Sequence, residues 1–234
     1  MEGSIAVVLC AAGSSTRMGG IKKEYRPLGE GNPLTVLGAA AMAFAASPRV
    51  GLMVIAVPAG AENGEFAARA SLPPVLLPPE ARLPILFVPG GSSRRVSVHH
   101  ALSLLFAYQP DYVLIHDGAR PWVDLDLIER TIDAVIQHQA VVPVVPLIET
   151  PKEIDAAGFV QRHLRRRSIG AAQTPQAFAF PELLAAHEKA AERELVEHLE
   201  YTDDAEVWGE FVGPVATIPG SPKNRKITFP EDLV

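Results

Sequence analysis

Ala11-Ala12-Gly13-Ser14-Ser15-Thr16-Arg17-Met18-Gly19-Gly20 is the string best suited to chemistry in this chain. Small residues let a backbone come close to a ligand, and successive N–H groups can form an anion-binding nest. Arg17 inside the string, with Lys22 and Lys23 behind it, adds fixed positive charge. No Gly-Lys-Ser/Thr closes it, so it is not a Walker loop. The G-x-G-x-x-G spacing of a dinucleotide fingerprint is also absent, which disfavours a dinucleotide oxidoreductase. Other polar residues have plainer readings. His99 and His100 are neighbours on one helix and diverge by about 100°, so they do not readily share a metal. His116 reads as a packed, hydrogen-bonded histidine, and Cys10 as a small core residue. Asp203-Asp204 suits a helix N-terminus. Trp122 and Trp208 read as packing residues, and Glu188–Glu200 as a solvated helix face.

The elements around these residues follow from periodicity. Ile5–Ala11 is a short, nearly unbroken apolar run, as expected of a parallel strand buried on both faces. The same signature returns at Leu52–Val57, Ile85–Val88, Tyr112–Ile115 and Val141–Val145. Helix-like stretches lie between, at Leu34–Ala46, Arg94–Ala107 and Leu125–His138. In the last, Leu127, Ile128, Ile132, Val135 and Ile136 share one stripe. Short apolar strands alternating with amphipathic helices predict a doubly wound α/β sheet, whose ligands bind beyond the carboxyl ends of the strands. The glycine- and serine-rich string therefore stands where a ligand is expected. Pro58–Pro84 reads as a helix fragment and an exposed connection. Ile148–Arg167 breaks the rhythm and reads as a charged arm or hairpin outside the main sheet. Helices near Pro181–Leu195 and Asp203–Trp208 and strands near Pro214–Ile218 and Arg225–Thr228 complete the reading.

The 234 residues suit a single domain spanning 1–234, with 148–167 as its arm. One cysteine leaves no intrachain disulfide and argues for a reducing compartment. No apolar run approaches the ~18–20 residues that span a bilayer. The N-terminus lacks the basic n-region and cleavage site of a signal peptide. A net charge of −6 disfavours a broadly basic nucleic-acid surface. The expectation is a cytoplasmic protein with no membrane or nucleic-acid partner.

Five further strings accompany the first. They are Gly90-Gly91-Ser92-Ser93-Arg94-Arg95-Val96-Ser97-Val98, His116-Asp117-Gly118-Ala119-Arg120-Pro121, Gln173-Thr174-Pro175-Gln176-Ala177-Phe178, Thr202-Asp203-Asp204-Ala205 and Asn224-Arg225-Lys226-Ile227-Thr228-Phe229-Pro230-Glu231-Asp232-Leu233. In this order, over essentially the whole chain, they resemble the IspD family of 2-C-methyl-D-erythritol 4-phosphate cytidylyltransferases. The resemblance implies a Rossmann-like three-layer nucleotidyltransferase fold with a mixed, mainly parallel sheet and a protruding dimerisation arm. It implies cytidylyl transfer from CTP to a small polyol phosphate, aided by Mg²⁺ held mainly through the CTP phosphates, with no dedicated protein metal cluster. A ribitol-5-phosphate cytidylyltransferase and a noncatalytic dimeric nucleotide-binding protein are the rival readings.

By this resemblance, Arg17 and Lys23 stabilise the transition state, and Arg166 and Lys226 orient the polyol phosphate. Ala11, Ala12, Gly13, Ser14 and Ser15 cradle the nucleotide, and Gly90, Gly91 and Ser97 contact cytosine or ribose, with Asp117 and Gly118 beside them. Asp117, Arg120, Thr150, Arg166, Thr202 and Lys226 line the polyol-phosphate pocket. The arm carries Thr150 and Arg166 into a neighbouring subunit, which makes the active unit a homodimer. Lys22 stands beside Lys23 as an alternative, and only spacing selects Arg166 from Arg165–Arg167 and Lys226 from its neighbour Arg225. Gly118 replaces the family's usual alanine. Family members usually continue past the position of Val234 into a terminal helix.

Overall fold

The computed structural model describes residues 3–15, 22–60 and 64–233. Its main sheet begins with β1 (Ile5–Cys10), β2 (Val50–Val57), β3 (Ile85–Pro89), β4 (Tyr112–Asp117) and β5 (Ala140–Pro146). It is completed by β8 (Gly170–Ala172), β9 (Gln176–Ala179) and β10 (Ala216–Pro219), while β6 (Lys152–Ile154) and β7 (Val160–His163) pair apart from it. The spatial order is β10-β5-β9-β4-β1-β2-β3, with β8 on β5. β9 runs antiparallel to both β4 and β5, whereas β1, β2, β3 and β4 are mutually parallel, as are β5 and β10.

Alternation along β1 explains the layers. Ile5, Val7 and Leu9 pack on one face against α1 (Val36–Ala46), α2 (Gly64–Ser71) and α4 (Leu125–His138). Ala6 and Val8 pack on the other against α3 (Arg94–Leu105), α5 (Phe180–Glu197) and Trp208 of α6 (Asp204–Phe211). A strand covered on both faces has no need of polar residues, which is why the run is unbroken. Four helices start where a side chain caps them: Thr35, Ser93, Asp124 and Asp203 each accept from the backbone N–H three residues on.

The predicted elements are present with one exception. Arg225–Thr228 forms no strand; Ile227 N–H donates to the Ala119 carbonyl at 2.9 Å, and the Ile227 carbonyl accepts from Lys23 Nζ. Lys226 and Thr228, on either side of the anchored Ile227, both turn to the cavity. The short β9 has no signature in the sequence, since four residues carry too little periodicity. Ile148–Arg167 does stand apart from the main sheet, as the β6–β7 hairpin and a 3₁₀ turn at Arg166–Ser168. Ile148, Ile154 and Phe159 on it are exposed, at 85%, 64% and 71%.

Candidate active site

A cavity of about 550 Å³ opens at the carboxyl ends of β1 and β4, as the sheet topology predicts. Ala12, Gly13, Ser14 and Ser15 form one wall, and Gly91, Ser92, Ser93, Arg94 and Ser97 a second. Lys23, Glu24, Asp117, Ala119, Glu200, Lys226 and Thr228 close the rest. The two small-residue walls touch. A Cβ on Gly90 would lie 2.2 Å from the Ala12 Cβ, so only glycine permits this approach. Gly91 N–H donates to Ser97 Oγ at 3.0 Å, and Ser97 Oγ donates to the Ser93 carbonyl at 2.8 Å, which locks the second wall to the first turn of α3.

Asp117, at the end of β4, is the electrostatic centre. Lys226 Nζ lies 3.0 Å from its carboxylate, Arg120 Nε 3.2 Å and Arg94 Nε 3.5 Å. Burial by itself would raise its pKa, but Lys226, Arg94 and Arg120 outweigh burial and hold it well below the usual carboxylate range. Asp117 is thus a permanent anion that pins three cations. Arg120 also donates from Nη1 to the Asn224 carbonyl at 2.9 Å, which ties the turn after β4 to the segment bearing Lys226.

Beneath this centre His116 is fully buried. Its Nε2 faces the Arg120 carbonyl at 3.1 Å, which can only accept, so Nε2 carries the proton. Nδ1 then accepts from Thr174 Oγ1 at 3.0 Å, and Thr174 Oγ1 accepts from Asp117 N–H at 3.1 Å. Burial pulls the His116 pKa down to about 4, so the ring stays neutral and serves as a brace. Burial likewise pushes the Cys10 thiol up to about 12, which leaves it inert although it borders the cavity.

The candidate residues divide clearly. Ala12, Gly13, Ser14, Ser15, Lys23, Gly91, Ser97, Asp117 and Lys226 line the cavity. Ala11, Gly90 and Gly118 lie just behind it as buried backbone, Gly118 donating its N–H to the Cys10 carbonyl at 3.0 Å. Arg120 acts on Asp117 from the side. Arg17 lies outside the described residues. Lys23 is buried and donates to the Ile227 carbonyl at 2.7 Å, whereas Lys22 Nζ bonds the Gly13 carbonyl and sits 3.6 Å from Glu24. Arg225 stacks its guanidinium on Trp122, 4.6 Å from the ring centroid, and does not line the cavity, whereas Lys226 does. Thr150, Arg166 and Thr202 are exposed and do not line the cavity of their own chain. Arg166 donates to the Ile148 carbonyl at 2.6 Å, and Thr202 Oγ1 to Glu206 at 2.9 Å.

The reading of one residue changes and that of another is extended. Glu200 belongs to no solvated helix face: α5 ends at Glu197, and the turn that follows brings Glu200 to the cavity. Asp203 caps α6 and Asp204 opens it, as expected of an acidic pair at a helix N-terminus; Asp204 is in addition buried and paired with Arg94 and His187. The sequence motif holding Arg94 assigns it no role. The signal was its place one residue past a Ser cap at a helix start, beside a glycine pair.

Over residues 5–234 the chain matches the family model described as IspD, 2-C-methyl-D-erythritol 4-phosphate cytidylyltransferase. The chain belongs to this family. It is similar to IspD-family proteins fused to a second activity. It is 36% identical over 235 residues to a bifunctional enzyme IspD/IspF of Mesorhizobium japonicum, covering 99% of this chain and 54% of that one. With a bifunctional enzyme IspD/IspF of Solidesulfovibrio magneticus it shares 40% identity over 236 residues, covering 98% and 56%. The chain thus spans about half the length of the curated relatives it matches. Among solved structures, the 2-C-methyl-D-erythritol 4-phosphate cytidylyltransferase of Thermus thermophilus superposes with a TM-score of 0.70 at 30% identity, covering 97% of this chain and 94% of that one. The Francisella tularensis enzyme of the same name gives 0.77 at 28%, covering 98% and 96%. The mixed, mainly parallel three-layer sheet is therefore the IspD-family fold.

Proposed function

We propose that this IspD-family chain transfers a cytidylyl group from CTP to 2-C-methyl-D-erythritol 4-phosphate in the non-mevalonate isoprenoid pathway. The observation that carries this is the cavity itself: a small-residue backbone wall facing Lys23, Arg94 and Lys226 at the carboxyl ends of parallel strands. A phosphate-monoester oxygen of the polyol substrate attacks the α-phosphorus of CTP. The new P–O bond forms as the bond between the α-phosphorus and its bridging oxygen breaks, and pyrophosphate leaves with that electron pair. No protein nucleophile is needed. Catalysis rests on bringing two polyanions together and on stabilising charge that grows on the phosphoryl oxygens.

Lys23, with Arg17, stabilises that charge; Ala11–Ser15 cradle the triphosphate, and Gly90, Gly91 and Ser97 hold the base and ribose. Lys226, kept in place by Asp117, receives the polyol phosphate. The cavity wall offers carboxylates at Asp117, Glu24 and Glu200, and among the described residues there is no cluster of three or more metal-ligating side chains. That donor set fits Mg²⁺ held mainly through CTP oxygens, with Asp117 as the carboxylate that would hold it, and the ion would neutralise triphosphate charge.

The arm supports a homodimer. Thr150 and Arg166 lie away from their own cavity, on a hairpin that exposes Ile148 and Phe159. Residues 1–234 then act as one nucleotidyltransferase unit, with 148–167 reaching a twofold-related copy to bring Thr150 and Arg166 to its polyol site, beside Arg120 and Thr202. No helix of the described residues is long and apolar enough to cross a membrane, which suits a cytoplasmic enzyme with small-molecule substrates.

Pyrophosphate release from CTP and Mg²⁺, with methylerythritol phosphate and ribitol 5-phosphate offered separately, tests the reading. Release with the first alone is expected. Preference for the second would reassign the substrate, and silence with both would leave a nucleotide-binding protein.

A further inference from the structure

Arg94 links the cavity to a buried acid–base pair that the proposed chemistry does not use. Its Nη1 donates to Asp204 Oδ2 at 2.7 Å, and its Nε stands 3.5 Å from Asp117 Oδ1. Asp204 has 1% of its side chain exposed, and its other oxygen lies 3.1 Å from Nε2 of His187, which is fully buried. His187 stacks on His99 at 6.3 Å, and its backbone carbonyl accepts from Arg95 at 3.3 Å. This chain of contacts joins α6, α5 and α3 to the end of β4. No described residue accepts from Arg94 Nη2, while the guanidinium borders the cavity with 24% of its side chain exposed.

A buried carboxylate that engages one edge of a guanidinium leaves the opposite edge aimed and rigid. We infer that Asp204, braced by His187, is a positioning residue that holds Arg94 so that its Nη2 edge faces the cavity as an additional cation for the nucleotide. Without Asp204, Arg94 is free to close onto Asp117 as a third tight partner. Nη2 would then no longer point at ligand. The inference rests on the nucleotide reading of the cavity.

A double-mutant cycle tests it with Arg94→Gln, Asp204→Asn and the pair, on the full chain. Arg94→Gln is expected to raise KM for CTP roughly tenfold to a hundredfold, as loss of a charge-assisted hydrogen bond does. Asp204→Asn should raise it about tenfold, with KM for the polyol phosphate moving less than about threefold. The decisive result is non-additivity: the pair should be no worse than Arg94→Gln alone. Multiplying effects would overturn the inference, as would a lowered melting temperature for Asp204→Asn with an unchanged KM for CTP. If Asp204→Asn does not fold, His187→Gln takes its place in the same cycle, with the same two overturning results. Calorimetric titration with CTP separates the two claims. A wild-type chain that neither binds nor turns over CTP removes the nucleotide reading and this inference with it. Wild-type turnover with a multiplicative cycle removes this inference alone.

Discussion

Lys23 donates from Nζ to the carbonyl of Ile227 at 2.7 Å, a bond closed across 204 positions of sequence. It ties the turn after the first loop to the segment that carries Lys226, so the cations on two sides of the cavity are set relative to each other. Lys22, one residue earlier, instead turns to the Gly13 carbonyl and Glu24.

This difference gives the first prediction. Lys23→Ala should lower kcat by roughly 10²–10³, the cost of removing one donor that stabilises transition-state charge. Lys22→Ala should act mainly through the shape of the loop it braces, with a smaller loss of kcat. Steady-state pyrophosphate release on both variants decides it, and the reverse order of damage would assign the role to Lys22.

The contact of Gly90 with Ala12 gives the second. In Gly90→Ala the new methyl meets the Ala12 Cβ at 2.2 Å, with Ser97 Oγ at 3.0 Å and the Val57 carbonyl at 3.2 Å. Overpacking of this kind costs about 1–3 kcal/mol and here must push two ligand-facing loops apart. A lowered melting temperature and a raised KM for CTP are expected together. Adding Ala12→Gly, which removes the nearest clashing atom, should recover part of both. No recovery would show that the loops are not in the contact described.

The arm supplies the third. If Arg166 serves a neighbouring copy, Arg166→Ala should raise KM for the polyol phosphate far more than that for CTP. Arg166→Ala and Lys226→Ala chains, each nearly inactive alone, should regain activity when mixed and allowed to exchange subunits. In an equal mixture about one site in four then combines an intact core with an intact arm. Recovery of nothing, with exchange verified by mass, would place Arg166 in the site of its own chain.

His116 supplies the fourth. Its folded pKa of about 4 lies below the ordinary histidine value of 6.5, so the unfolded chain binds more protons between those limits. The stability owed to the neutral ring is present above pH 6.5 and is lost as pH falls through that window toward 4. Between pH 7 and 5 this histidine alone should cost about 2 kcal/mol of unfolding free energy. Urea titrations across that range should show the slope in the wild type and a shallower one in His116→Gln. Equal slopes would mean that the ring is not held neutral by its surroundings.

Much of the architecture could be read from local pattern. The unbroken runs of β1, β2 and β4 imply two covered faces, and the apolar stripe of Leu125–His138 marks a helix that forms over those residues. These features depend on a few neighbours in sequence, and so does the small-residue string Ala11–Ser15. They were determined before any tertiary contact. Sheet order was not, because it depends on which faces bury best once the helices dock. The insertion of β9 between β4 and β5, in the opposite direction, leaves no local trace in four residues. The electrostatics of the cavity are of the same kind. Asp117, Lys226, Arg94 and Asp204 are ordinary charged residues in sequence. They become one network only where the end of β4, the starts of α3 and α6, and the Asn224–Thr228 segment meet at the edge of the cavity. Which side Arg225 and Lys226 face, and that Thr150 and Arg166 stand apart from their own cavity, were likewise decided by packing. Charge carries no direction in sequence; it acquires one only when burial and a partner across the fold select a single geometry.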